Sequence, residues 1–305
     1  MKKTTLWVLW SLFCLPLYAQ INMADSTVQV ISYWDKGEKQ NYSISLEKIK
    51  LKDTDTISKE LTTYDVEVSV LDSTKNSYTV QWDYKNFKST SEDEISKELS
   101  KISKEMKVIY KTDELGSFIE IVNWKEIKDY NQKAIAVIKK KYSKEPKMAN
   151  IIKQLENTFS SREAIESASI KDIQQYHSFH GGKYKLQEEL SERIKVPNLL
   201  TNVPFDANYS LYLDEINEDD NNYIIRSNQV VDSTQLIEAT FQFLSSLAKN
   251  MNVQAPNKDD FKNLSNEIQL ASRIHGSGWV VYSIQTTTVN ASNQTNIEER
   301  IIEVK

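Results

Sequence analysis

Sequence periodicity predicts an α+β fold: an antiparallel, curved β-sheet built from N- and C-terminal strand groups, with a central helical block packed on it. Three observations carry this expectation. Residues 28–84 repeat with period two, residues 123–176 repeat with helical spacing, and the last third returns to period two. Strands and helices that run in separate blocks belong to α+β architectures with antiparallel sheets.

In the first block Tyr42, Ile44 and Leu46 alternate with polar neighbours. Ile49 and Leu51 then fall on the opposite parity, which predicts a β-bulge near Glu47 and Lys48. Tyr64, Val66, Val68 and Val70 alternate with polar residues, and after a polar turn over 72–77 so do Tyr78, Val80, Trp82 and Tyr84. These two runs predict a hairpin with one wet and one buried face. Residues 91–106 predict a charged helix with Ile95, Leu99 and Ile102 on a narrow stripe, followed by short strands over 107–111 and 117–122.

Asn123 reads as a helix N-cap with Glu126 as its capping-box partner, ahead of an apolar face of Trp124, Ile127, Ala134, Ile135 and Ile138. Two more helices are expected over 145–176. Pro146 opens the first, and Ser160 with Glu163 caps the second. Gly181-Gly182 ends the block. Pro197 and Pro204 mark an irregular connection at 195–206, the place where a two-lobed domain would divide. Strands then return around Tyr209 to Leu213 and over 223–231. A long amphipathic helix spans 233–251, and the last strands cover 268–274, 279–289 and 297–304, with Gly276-Ser277-Gly278 as a tight turn.

The N-terminus reads as an export signal. Lys2 and Lys3 precede an apolar run over 6–17, and Ala19 offers a small residue for cleavage. That run is shorter than the ~20 residues of a membrane-spanning helix. The expected organisation is a signal peptide over 1–19 and a single domain over 20–305, delivered to the periplasm or beyond. Cys14 is the only cysteine. Phe13 is not the small residue that precedes an acylated cysteine, so lipid anchoring through Cys14 is disfavoured, and cleavage after Ala19 leaves no thiol. The net charge of −5 and the lack of a basic block disfavour nucleic acid and anionic membrane surfaces as partners. No apolar run after the signal is long enough to cross a bilayer as a helix.

No catalytic or cofactor motif stands out. His177 and His180 form an H-x-x-H whose imidazoles share a helix face, the one candidate metal pair. A third ligand and a general base are missing, and polar residues at a helix end are the expected reading. Residues 217–222 only partly match a calcium loop, since Asn222 and Asn228 stand where a glycine and a glutamate belong. Gly276-Ser277-Gly278 lies between strands, where a serine nucleophile elbow would join strand to helix. The aromatics are the enrichment that matters. Tyr64, Tyr78, Trp82, Tyr84, Tyr209, Trp279 and Tyr282 all fall on strand patterns. They predict either a core beneath the helices or, on a concave sheet face, a seat for an apolar ligand.

The Leu17-Tyr18-Ala19-Gln20 signal end, Gly116-Ser117-Phe118 leading into Asn123-Trp124, and Gly278-Trp279-Val280-Val281-Tyr282 together resemble exported proteins of Gram-negative bacteria that have no assigned activity. The plan of antiparallel strands plus helices is also similar to that of periplasmic lipoprotein carriers, whose half-open barrel grips acyl chains. The C-terminal Glu303-Val304-Lys305 lacks the terminal aromatic of outer-membrane barrels. The expected function is a non-enzymatic binding or structural module without a cofactor, acting through a protein partner. The alternative is a carrier of a lipid or other apolar small molecule on a concave sheet face.

Overall fold

The structure is a computed structural model, which describes residues 20–92, 106–142, 146–198, 200, 203–250 and 253–305. The expected signal peptide with Cys14 lies outside the described residues, as does all but the ends of the helix expected over 91–106.

Three short strands, β1 (Ile21–Asn22), β2 (Thr27–Gln29) and β8 (Lys183–Lys185), form a small sheet. The large sheet starts with β3 (Lys39–Lys52), β4 (Asp55–Ser73), β5 (Ser77–Ser89), β6 (Lys107–Asp113) and β7 (Phe118–Ile121). It continues with β9 (Glu189–Val196), β10 (Phe205–Asn217), β11 (Asn222–Val231), β12 (Ser265–His275), β13 (Val280–Ala291) and β14 (Gln294–Val304). Their spatial order is β7-β6-β5-β4-β3-β14-β13-β12-β11-β10-β9. Every pairing is antiparallel, and the two strand groups meet where β3 pairs with β14, from Tyr42 opposite Val304 to Lys52 opposite Gln294. The connection around Pro197 and Pro204 joins β9 to β10, which pair within the same sheet. The helices are α1 (Trp124–Lys141), α2 (Pro146–Thr158), α3 (Arg162–Ala168), α4 (Lys171–His177) and α5 (Ser233–Asn250).

The α+β expectation, with a central helical block packed on the sheet, is corrected by this architecture. Of the described residues 51% are strand and 23% helix, a large antiparallel sheet with few helices. The physical reason lies in how the middle helices satisfy themselves. Ile135, Ile138 and Tyr142 of the α1 end pack with Ile152 of α2 in a small core of their own. The main core takes Ile127 from the start of α1 and Ile165, Ile173 and Tyr176 from the two short helices α3 and α4. Directly afterwards, the chain returns to strand at β8 and β9.

Local expectations are corrected too. The β3 register runs unbroken past Glu47 and Lys48, and the shift against β4 falls between Lys50 and Leu51. Ile49 and Leu51 therefore belong to the outer face of a regular strand. Asn123 stands at the N-cap of α1 and its Nδ2 donates to Glu126 Oε2 at 3.4 Å, but its Oδ1 accepts from the Ile109 amide at 2.8 Å instead of from a helix amide, tying the helix start to β6. The α3 cap is Ser161 rather than Ser160, accepting from the Ala164 amide at 3.2 Å. In the β12–β13 turn only Gly278 has a positive φ, +84°. A Cβ there would lie 2.5 Å from the Ile31 carbonyl oxygen.

Alternation places the core on one face. Tyr42, Ile44, Tyr64, Val66, Val68, Val70, Tyr78, Val80, Trp82, Tyr84, Val108, Tyr110, Ile225, Ile274, Val280 and Ile302 all point inward and are buried. Trp82, Tyr42, Tyr110 and Tyr176 are the largest of the fully buried side chains.

The sheet is rolled around α4. In sheet order β6 and β13 are five steps apart, about 24 Å on a flat sheet at ~4.8 Å per step. Yet Ser32 donates its amide to Leu115 in the β6–β7 turn at 3.0 Å, while its neighbour Tyr33 donates to Ser277 in the β12–β13 turn at 3.1 Å. Two hydrogen bonds from consecutive residues hold those turns within about 10 Å of each other. The side chains of α4 repeat the pattern, with His177 bonded to Tyr110 of β6 and Gln175 bonded to Ser283 of β13.

Candidate functional site

At the closed end of the roll the inner space is solid. Trp34 packs on Tyr78 and Trp279, with ring centroids 5.5 and 4.7 Å away. His177 and His180 sit beneath it, 4.9 Å apart centroid to centroid. The geometry fixes the His177 tautomer. Its Nδ1 lies 2.7 Å from the Gly116 carbonyl, which can only accept, so Nδ1 carries the proton. Nε2 must then accept from the Tyr110 hydroxyl at 2.7 Å, and Tyr110 accepts in turn from Trp82 Nε1 at 3.1 Å. His180 Nε2 donates to the Gly278 carbonyl at 2.9 Å. These imidazoles stitch the two turns together, and no group of three or more metal-ligating side chains occurs among the described residues. Burial holds His177 well below its ordinary range, reinforced by the neighbouring His180. Burial also lowers His180, to about 4.

Further along the same face lies a buried ion pair. Arg300 Nε is 2.9 Å from Asp172 Oδ1, and the Tyr64 hydroxyl donates to Asp172 Oδ2 at 2.8 Å. Burial pushes the Asp172 carboxyl up, against the pull of Arg300 and Tyr64. Beside it, Gln175 of α4 rests on two small side chains, donating to Ser283 Oγ at 3.0 Å, while Ser283 and Ser272 bond each other at 2.8 Å. Serines at these sheet positions make room for the helix.

Beside Gln175 a cavity of about 570 Å³ opens between α4 and the inner face. That is within the ~300–1,000 Å³ span of small-molecule sites. Its roof is Ser167 at the end of α3 and Lys171, Gln174 and Gln175 of α4, with Ser178 just after. Its floor is a continuous cross-strand row, in which register sets Tyr209 beside Gln229, then Ile268, Thr287, Glu298 and Lys48. Leu270 and Val289 flank this row. Past Tyr209, Phe205 and Ala207 on the same parity pack with Leu236 and Ala239 of α5, which covers that end of the sheet.

The aromatic residues singled out from sequence part into three groups. Tyr64, Tyr78, Trp82 and Tyr84 are buried in the core beneath α4 and Trp34, and Trp279 packs against that core. Tyr209 lines the cavity. Tyr282 lies opposite Arg273 and Glu303 on the outer face. Sequence reasoning missed Ile268, Leu270, Val289 and the lysines Lys48, Lys50 and Lys171. The alternation of Lys48 and Lys50 with Ile49 and Leu51 was their signal.

No family model matches the chain, and no curated protein matches it. Among solved structures it is similar to lipovitellin, described for its lipid–protein interactions, with 11% identity and a TM-score of 0.40 over 89% of this chain. The chain spans 25% of the length of that lipovitellin chain. A second similarity is to an outer membrane channel from Pseudomonas putida F1, at 8% identity and a TM-score of 0.17, covering 90% of this chain and 97% of the channel.

Proposed function

We propose that this protein is an exported, non-enzymatic binding module that carries an apolar small molecule between α4 and the inner face of β10–β14. The supporting observation is the cavity itself. It occupies a stretch of the rolled sheet that α4 roofs without filling and that no α5 residue lines, and Tyr209, Ile268, Leu270 and Val289 supply its apolar wall. Both ends of the inner face are packed, so a ligand would meet a preformed site with little ordering cost to the protein.

The aromatic cluster of Tyr64, Tyr78, Trp82 and Tyr84 serves this role as scaffold. It holds α4 in place, and α4 is the roof.

The test is titration of the protein with a neutral naphthylamine dye, whose fluorescence rises in apolar surroundings. Thr287 stands at the middle of the floor row, half-buried, and Thr287→Trp fills the space above it. Saturable dye binding by the native protein that Thr287→Trp abolishes supports the proposal. Equal dye response in both proteins overturns it.

A further inference from the structure

We infer that the cavity takes a single-chain amphiphile with an anionic head, a carboxylate or a phosphate monoester. This inference rests on the binding-module reading above and names its ligand class. The argument is the direction built into the floor. The row Tyr209, Gln229, Ile268, Thr287, Glu298 and Lys48 has unlike ends: its charged groups, Glu298 and Lys48, lie together at one end, and its largest apolar side chains, Tyr209 and Ile268, lie toward the other. The row crosses five strand spacings, about 24 Å, a length that suits one extended chain.

At the polar end three lysines, Lys48 and Lys50 from β3 and Lys171 from α4, line the cavity with one carboxylate, Glu298. Glu298 is already shared. Lys48 approaches its Oε2 at 3.8 Å, Lys171 its Oε1 at 3.9 Å, and Arg300 the same Oε1 at 3.1 Å. One acid facing three cavity cations leaves an excess of positive charge, in a chain whose overall charge is −5. An anionic head placed among the lysines answers that excess, while the chain covers Ile268, Leu270 and Tyr209. A zwitterionic or neutral head would leave it unanswered.

The experiment uses the full domain and displacement of the same neutral dye by hexadecanoate, hexadecyl phosphate and hexadecanol, each below its micellar concentration. The two anions are expected to bind about tenfold more tightly than the alcohol, from three exposed lysine contacts of modest strength each. Raising the ionic strength should shrink that gap. The triple variant Lys48→Ala, Lys50→Ala, Lys171→Ala should close it by bringing the two anions down to the affinity of the alcohol in that same variant. Shortening the chain should cost about fourfold per methylene for acid and alcohol alike. Anions that bind no better than the alcohol, or a gap that survives the triple variant, overturn the head-group assignment and leave the apolar site standing. Failure of all three compounds to displace a bound dye overturns the ligand class, and failure of the dye itself to bind removes the site as well.

Discussion

Acidification from pH 8 to pH 5 should destabilise this fold through two histidines. Burial lowers His180 to about 4 in the folded chain, against about 6.5 when unfolded. A proton therefore binds the unfolded state first. Stability from this group is fully present above about pH 6.5 and is lost as the pH falls toward the folded value. Between pH 8 and pH 5 the linkage relation gives a loss of about 2 kcal/mol for His180. His177, lowered well below its ordinary range, adds a loss of the same sign over that window. The charged forms have no escape, because both rings sit between the two turns that the roll brings together. The assay is urea unfolding at the two pH values, followed by tryptophan fluorescence, for the native protein and for the double variant His177→Asn, His180→Gln. Asn and Gln keep an amide N–H near the Gly116 and Gly278 carbonyls but do not titrate. The native protein should lose at least about 2 kcal/mol and the variant far less. The comparison cancels Asp172, whose raised carboxyl acts with opposite sign. Equal losses in the two proteins would refute the assignment of buried, neutral imidazoles.

Other expectations follow from the same structure. Tyr42, Tyr64, Tyr84, Tyr110, Tyr176 and Tyr223 are raised by burial, and Tyr184 is pushed up to about 12. Their phenols should ionise near 295 nm only as the protein unfolds above pH 10, since stability carried by raised groups is present below that value and lost above it; reversible titration of all tyrosines in a folded protein would contradict this. Gly278→Ala forces a Cβ to 2.5 Å from the Ile31 carbonyl oxygen at a φ of +84°. It should cost at least about 2 kcal/mol in urea unfolding, and a neutral effect would mean that the roll is not closed at this turn. Asp172→Ala leaves Arg300 buried with only Glu298 beside it. A loss of about 3 kcal/mol is expected, and a change under about 0.5 kcal/mol, the usual scale for surface positions, would show the pair to be solvated.

The strands were legible wherever one face is core. Tyr64 to Val70 and Tyr78 to Tyr84 alternate without a break because each inward side chain is buried, and they form the β4–β5 hairpin. The sheet's dominance was not legible. The helical spacing of Ile135, Ile138 and Ile152 says only that an apolar face exists, and that face is satisfied by a helix neighbour rather than by the sheet. The short edge strand β9 is exposed along most of its length and carries almost no alternation. The site was least visible, for a reason that Lys48 to Leu51 makes plain. The parity change there looked like a bulge. It marks instead the point where the inner face stops being core, becomes cationic and lines a cavity, while the apolar residues continue on the outer face. The row from Tyr209 to Lys48 draws on six strands from both ends of the sequence, and only register assembles it.

Native mass spectrometry of the intact protein, after incubation with hexadecanoate and removal of excess, tests the central claim most directly. The account predicts one bound chain per protein, lost in Thr287→Trp while that variant keeps the native unfolding transition. A bare native protein, or several chains bound equally well by the variant, would contradict it.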